Sequence, residues 1–95
     1  MSKLNNIHPG EILEEEFLKP LGISAYKLSQ AIGVPQTRTS QILKGRGRIT
    51  ADTALRLSKF FGTSSKFWLG LQNDFDIEEE MQIIKKELEQ IETVN

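Results

Sequence analysis

The stretch that follows Pro35 is rich in side chains that could contact the edges of DNA bases. Gln and Arg carry forked hydrogen-bonding groups that match base edges in the major groove, and Ser and Thr add shorter contacts. The candidate base-reading residues are Gln36, Thr37, Arg38, Ser40 and Gln41. A plain helical hairpin with a polar outer face would carry the same residues, so this stretch alone leaves both interpretations open.

Two short helices joined by a tight turn are predicted to position these side chains. Ser24 is a good N-cap for the first helix, and Gly33 allows the positive φ of a turn. Pro35 suits the first turn of a second helix, which is predicted to run from about Pro35 to Lys44 and to end at Gly45. The helical spacing places Leu28, Ala31 and Ile32 on the inner face of the first helix, and Thr39, Ile42 and Leu43 on that of the second.

The net charge of −1 conceals a segregation of charge along the chain. Residues 24–73 carry eight Lys and Arg side chains against the single acid Asp52, a net charge of +7, whereas residues 1–23 carry −2 and residues 74–95 carry −6. Neutralisation of phosphates by Lys and Arg supplies much of the affinity of DNA-binding proteins. Residues 45–49 contain two glycines and two arginines and are predicted to form a flexible basic loop, in which solvated charge is the alternative to DNA contacts for Arg46 and Arg48. The candidates for contacts with the DNA backbone are Lys27, Lys44, Arg46 and Arg48.

A helix that begins near Pro9 is predicted to precede this pair. Pro9 fits a first helical turn, and Pro20 and Gly22 are predicted to end the helix. His8 could serve as a metal ligand or a base, but an ordinary position at the helix start is favoured because no Cys or second His accompanies it. The predicted core residues of this segment are Ile12, Leu13, Phe17 and Leu18, with Leu21 and Ile23 packed beneath them.

Two further helices are predicted after the loop. Thr50 is expected to cap the first, and Gly62 to end it. Ser64 or Ser65 begins the second, in which Trp68 is expected to pack in the core rather than to stack on a ligand. The other predicted core residues are Ala54, Leu57 and Phe61 with Leu55 and Phe60 beside them, and then Phe67, Leu71 and Gln72.

The C-terminal residues 77–95 carry apolar side chains in a heptad pattern, spaced by four, three, four and three residues. Asp74 or Asp76 is predicted to cap this helix. Fewer than three heptads rarely form a stable coiled coil alone, so the seam must pack on its own domain, a second subunit or another protein. The seam residues, which are the candidate dimer interface, are Ile77, Met81, Ile84, Leu88 and Ile91.

Composition argues against several other classes of protein. The 95 residues contain no Cys and one His, so neither a thiolate metal site nor a cysteine nucleophile is available. Glu14, Glu15 and Glu16 occupy consecutive helix positions and cannot converge on one substrate atom, so an enzyme is not expected. No run is apolar enough to span a membrane and no signal peptide opens the chain. We therefore expect one soluble, cytoplasmic domain without a cofactor, a metal or a small-molecule ligand.

Several stretches together resemble antitoxins of the HigA type, also called virulence-associated protein I, within the phage-repressor-like (XRE) helix-turn-helix class. They are HPGEIL with EEFL and PLG, then LSQAIGV, ILKGRGRIT, DTALRLSKFFGTS and FWLGLQNDFDI, and they cover about residues 7–77. Ser29 and Thr39 stand where this class often has Ala and a Val or Ile. Both are small enough for the two helices to cross, and each hydroxyl needs a partner such as the carbonyl one turn back.

The resemblance implies an all-α, phage-repressor-like five-helix domain over residues 1–76. A C-terminal amphipathic helix over residues 77–95 would belong to the same compact unit or form the dimer interface. The resemblance also implies a homodimer that binds double-stranded operator DNA and represses its own operon. The implied partner is a toxin with a RelE-like fold that cuts messenger RNA on the ribosome. A stand-alone helix-turn-helix transcriptional regulator would need the same DNA-binding face, so this alternative stays open.

Overall fold

The computed structural model describes residues 6–94, so residues 1–5 and residue 95, the outer ends of the two predicted segments, lie outside the described part. Helix α1 spans residues 9–21, and the others are α2 (Ala25–Ile32), α3 (Gln36–Leu43), α4 (Ala51–Phe61), α5 (Ser65–Ile83) and α6 (Lys85–Glu89). These described residues contain no strand, so the predicted all-α class is confirmed. None of the six helices is both long enough and apolar enough to cross a membrane.

Helix α1 begins at Pro9 as predicted, but its middle is a π-helix over Leu13–Leu18. The helix passes through Pro20 and ends at Gly22, whose φ of 67° reverses the chain. The N–H of Ile23 then donates to the carbonyl of Leu18 at 2.9 Å, which folds Ile23 back against the core as predicted. Because this turn places Ile23 rather than Leu21 over the core, Leu21 is 60% exposed and its predicted packing is wrong.

The core lies between α1 to α5, and Trp68 is its largest member. The Trp68 side chain is fully buried, and its indole N–H donates to the hydroxyl of Thr63 at 2.7 Å. The centre of the Phe17 ring lies 4.9 Å from that of Trp68. The predicted core role of Trp68 is thus confirmed. The buried apolar residues are Leu13, Leu18, Leu28, Ile32, Val34, Ile42, Ile49, Ala54, Leu57 and Trp68.

Four residues that the helical spacing placed at the core are exposed instead: Ala31, Leu55, Phe60 and Phe67. Successive helical residues are rotated by about 100°, so Leu55 points away from the stripe that Ala54 and Leu57 present to the core. Phe60 lies at the edge of that stripe, and its ring packs on Phe61 at a centre-to-centre distance of 4.9 Å. The sequence analysis therefore assigned too many positions to the core-facing side of these helices.

The C-terminal segment does not begin with its own cap. Helix α5 is capped by Ser64 and runs without interruption through Asp74 and Asp76, so the prediction that either aspartate caps a separate helix is wrong. Helix α5 ends at Ile84, where φ is −107° and ψ is 25°, and the short α6 follows. Of the seam residues only Ile84 is half-buried, whereas Ile77, Met81, Leu88 and Ile91 are exposed. Within one chain the seam therefore does not pack on its own core.

Candidate DNA-binding face

The turn between α2 and α3 has the geometry that its sequence predicts. The Ser24 hydroxyl accepts a hydrogen bond from the N–H of Lys27 at 3.0 Å, which begins α2. Gly33 has a φ of 73°, and the N–H groups of Gly33 and Val34 both donate to the carbonyl of Ser29. Residues that carry a Cβ rarely adopt this φ, so glycine is favoured at position 33. Pro35 follows in an extended conformation and leads directly into α3.

A pair of buried hydroxyls sets the crossing of α2 and α3. The Oγ of Ser29 lies 2.7 Å from the Oγ1 of Thr39 and 2.9 Å from the carbonyl oxygen of Ala25. A hydroxyl has one proton but two acceptor lone pairs, so Ser29 can satisfy both contacts by donating in one and accepting in the other. Both side chains are almost fully buried. The predicted partner one turn back is confirmed for Ser29, while Thr39 uses a side chain of the neighbouring helix.

The start of α1 also packs closely against α3. A Cβ built on Gly10 would lie 1.9 Å from the carbonyl oxygen of Ile42, so only glycine allows this approach. His8 caps α1, since its Nδ1 accepts from the N–H of Gly10 at 2.8 Å. Its Nε2 lies 3.0 Å from the carbonyl of Gly47, and this ring nitrogen carries the proton when Nδ1 accepts. The favoured interpretation of His8 as a helix-start residue is confirmed.

The candidate base-reading side chains lie together on the outer face of α3. Gln36, Thr37, Arg38 and Gln41 are exposed, and Ser40 is half-buried. Thr39 and Ile42 are buried on the opposite face, and Leu43 is half-buried against the core, as the spacing predicted. The N-terminal half of α3 therefore presents forked donors and acceptors to the outside, which is the part of a recognition helix that enters the major groove.

Arg38 is joined to α4 by an ionic network that the sequence analysis did not include. Its Nη1 donates to Oδ2 of Asp52 at 2.8 Å, and the same oxygen accepts from Nε of Arg56 at 3.0 Å. These two hydrogen bonds, that from Arg38 first, hold the pKa of Asp52 below its usual value. The carboxylate is therefore charged at neutral pH. The spacing of Asp52 and Arg56 by four residues on one helix is a signal that could have indicated half of this network.

The loop at residues 45–49 makes specific contacts with α5. Arg48 makes a bidentate contact with Asp76 of α5, in which Nη1 donates to Oδ1 at 3.0 Å and Nη2 donates to Oδ2 at 2.6 Å. The buried Gln72 donates to Asp76 at 3.0 Å and accepts from the backbone N–H of Ile49 at 2.8 Å. Hydrogen bonding to Arg48 is the main reason why the pKa of Asp76 lies below its usual value. Residues 48 and 76 are 28 positions apart, and no local pattern in the sequence indicates their pairing.

The four candidate backbone contacts differ in their surroundings. Lys27, Lys44 and Arg46 are exposed, and Arg48 is exposed but paired with Asp76. Lys44, Arg46 and Arg48 lie in the segment just after α3, whereas Lys27 lies separately on α2. Among residues 6–94, no group of three His, Asp or Glu side chains is arranged to hold a metal ion.

A family model described as helix-turn-helix matches residues 15–68 of the chain. Virulence-associated protein I of Dichelobacter nodosus is 49% identical over 71 residues, which are 75% of this chain and 66% of that protein. The chain thus spans just under two thirds of this relative's length. Antitoxin HigA-1 of Vibrio cholerae is 36% identical over 76 residues, which are 80% of this chain and 71% of that protein. The chain belongs to the HigA family of helix-turn-helix antitoxins.

Solved structures of the HigA family share the fold of nearly the whole chain. A HigA-family antidote protein from Coxiella burnetii is 44% identical, with a TM-score of 0.88 over 97% of this chain and 100% of that chain. The Pseudomonas aeruginosa antitoxin HigA, solved with the higBA promoter, is 35% identical, with a TM-score of 0.91 over 96% of this chain and 100% of that chain. The agreement extends beyond the helix-turn-helix motif to the C-terminal segment.

Proposed function

We propose that this protein is an antitoxin that binds operator DNA in a sequence-specific manner and represses its own operon as a dimer. The observation that carries the proposal is the set of exposed base-reading side chains on α3, within a segment of net charge +7. In this proposal Gln36, Thr37, Arg38 and Gln41 contact base edges, and Ser40 assists them. The promoter-bound structure of a HigA relative with the same fold supports a DNA-binding role.

Arg38→Ala tests base reading. A forked contact between Arg38 and a base is expected to contribute about 1–3 kcal/mol to binding of the operator. The measurement is a binding titration with DNA from upstream of the gene and with random DNA of the same length. Lys66→Ala removes one positive charge from the same basic segment, outside α3, and is the matched control. Equal losses on both DNAs for Arg38→Ala would contradict base reading by this residue.

In the same proposal Lys27, Lys44, Arg46 and Arg48 neutralise DNA phosphates. Removing one phosphate contact should lower the slope of log affinity against log salt concentration by about one unit. Lys44→Ala and Arg46→Ala are expected to show this change fully. Arg48→Ala is expected to show less, because Asp76 already neutralises this guanidinium. Unchanged slopes in the Lys44 and Arg46 variants would place the loop away from DNA.

The proposed protein partner is an mRNA-cleaving toxin with a RelE-like fold. The support is membership of the HigA family, whose Vibrio cholerae member is named an antitoxin. The test is to express the protein with the product of the adjacent small gene and to measure growth, translation and co-purification. We expect the antitoxin to restore growth and to form a stable complex with that product. The second candidate, a stand-alone regulator, is favoured if no neighbouring product binds, and a relative from Haemophilus influenzae is named only as a helix-turn-helix transcriptional regulator.

A further inference from the structure

Asp52 occupies an unusual place for an acid in a DNA-binding segment. It is the only acidic residue between residues 24 and 73, and it lies in the first turn of α4 beside the outer face of α3. A carboxylate near DNA repels phosphates and lowers general affinity. Exposed ion pairs contribute little to folding, and both Arg38 and Asp52 are about half exposed. The helix dipole favours an acid in the first turn of α4, but the contact with Arg38 also brings this carboxylate to the outer face of α3.

The carboxylate of Asp52 is held in position by Arg56, which lies one turn further along the same helix and also contacts the end of α2. Arg56 donates to it through Nε at 3.0 Å, while its Nη1 donates to the carbonyl of Ile32 at 2.8 Å and contacts that of Gly33 at 3.3 Å. Ile32 and Gly33 form the end of α2, where carbonyls have no partner within the helix. Arg56 thus ties Asp52 to the turn that leads into α3.

The fixed carboxylate of Asp52 restricts the orientation of the Arg38 guanidinium. The hydrogen bond to Asp52 uses Nη1 of a group that has five N–H donors, so donors remain for a base edge. An unpaired arginine side chain on a helix surface samples many rotamers, and a fixed guanidinium loses less freedom when it forms two hydrogen bonds to one base. We infer that Asp52 is a positioning residue that sets base specificity by orienting Arg38 in the major groove. This inference rests on the proposed operator binding.

The test compares Asp52→Asn with Asp76→Asn, because each removes one carboxylate that pairs with an arginine of the basic segment. Asp52→Ser serves as a second variant, since it also removes the carboxylate and keeps a short polar side chain. Each variant is titrated with operator DNA, with random DNA and with operators that carry single base-pair changes, and circular dichroism confirms folding. Arg38→Ala and the Arg38→Ala/Asp52→Asn double variant complete the cycle.

We expect Asp52→Asn to lower the ratio of operator affinity to random affinity about tenfold, with affinity for random DNA unchanged or higher. The lost discrimination should fall at the base pairs that Arg38→Ala also relaxes. Asp76→Asn should leave the ratio within about twofold, and so should Asp52→Asn when Arg38 is already Ala. An unchanged ratio for Asp52→Asn, or an equal loss in the Arg38→Ala background, overturns the inference.

The same experiment distinguishes failure of the proposed operator binding from failure of the role inferred for Asp52. If wild-type protein shows no preference for the operator, the proposed repressor function fails. If the wild type prefers the operator and Arg38→Ala weakens that preference while Asp52→Asn does not, base reading stands and only the role of Asp52 is rejected.

Discussion

Residues 6–76 and residues 77–94 both carry apolar side chains at helical spacing, but these side chains are mostly buried in the first region and mostly exposed in the second. In the first region the stripe of α4 is covered by its own chain, and Ala54 and Leu57 are buried. In the second region the pattern is more regular, yet Ile77 is 58% and Met81 48% exposed. Periodicity therefore indicates which side chains share a face of a helix, but it does not indicate what covers that face.

The two regions also differ in the number of polar side chains that they bury. The first region buries Ser29, Thr39, Thr53 and Gln72, and within the described residues no buried side-chain N or O atom lacks a partner. The C-terminal region buries no polar side chain and flanks its apolar stripe with glutamates. Satisfied buried polar groups specify one arrangement of helices, whereas an exposed apolar stripe can accept a second surface.

The largest difference is expected between truncations in the two regions. Trp68→Ala removes a fully buried indole from the core and should lower the free energy of unfolding by about 3–5 kcal/mol. Met81→Ala truncates an exposed side chain and should change the stability of the monomer by no more than about 0.5 kcal/mol. Urea unfolding at low protein concentration measures both. A comparable loss for Met81→Ala would show that the C-terminal region is packed within one chain.

The second effect concerns the proposed dimer. Ile77→Ser with Met81→Ser removes two exposed apolar side chains from each subunit. Burial of one such side chain is worth about 1.5–3 kcal/mol, so the dissociation constant should rise about 100-fold or more. Sedimentation across a range of concentrations measures this.

Leu55→Ser is the matched control for the dimer, because Leu55 is equally exposed but lies on α4, outside the seam. It should leave the dimer intact. If instead the control weakens association and the seam variant does not, the interface lies on the surface of α2 and α4. The same experiment with residues 77–95 deleted should give a folded protein with a weakened dimer.

The elements that the sequence predicted well are those determined by neighbouring residues. Ser24, Gly33, Thr50 and Gly62 begin or end helices as expected, because a cap depends on a few adjacent backbone groups. Trp68 was placed in the core from helical spacing alone. These features required no knowledge of distant contacts.

The features that the sequence analysis missed depend on residues far apart in the chain. Arg48 and Asp76 are 28 positions apart, and Arg38 and Asp52 are 14 apart on different helices. Their pairing follows from how the helices pack, so spacing cannot indicate it. The predicted cap at Asp74 or Asp76 was wrong for a related reason, since a good capping residue can also lie within a helix when its side chain has another partner. The sequence analysis therefore predicted the positive charge of the loop but missed its contacts with α5.

The third effect tests the buried hydroxyl pair of the core. Ser29→Ala leaves the Thr39 hydroxyl buried without its partner, and should cost about 1–3 kcal/mol. Thr39→Val should cost less, because Ser29 keeps the carbonyl of Ala25. The double variant should cost less than the sum of the two single variants, since the residues are in contact. Equal and additive losses in urea unfolding would show that the hydroxyls do not act as a pair.

The smallest effect is expected at Asp76, which lies at the junction of the two regions. Its carboxyl has a pKa below the usual value of 3.8 in the folded protein, chiefly because Arg48 donates hydrogen bonds to it. A lowered pKa in the folded state means that the unfolded state binds the proton first, so the ion pair stabilises the protein above about pH 4 and this contribution is lost as the pH falls further. The contribution is small because Arg48 is largely exposed and water screens the pair.

Asp76→Asn should therefore be slightly less stable than wild type at about pH 6, and the difference should shrink as the pH falls below about 4. Arg48→Gln should show the same convergence, because it removes the other half of the pair. Urea unfolding across this pH range measures it, and a difference that stays constant with pH would show that the aspartate contributes through packing rather than through its charge.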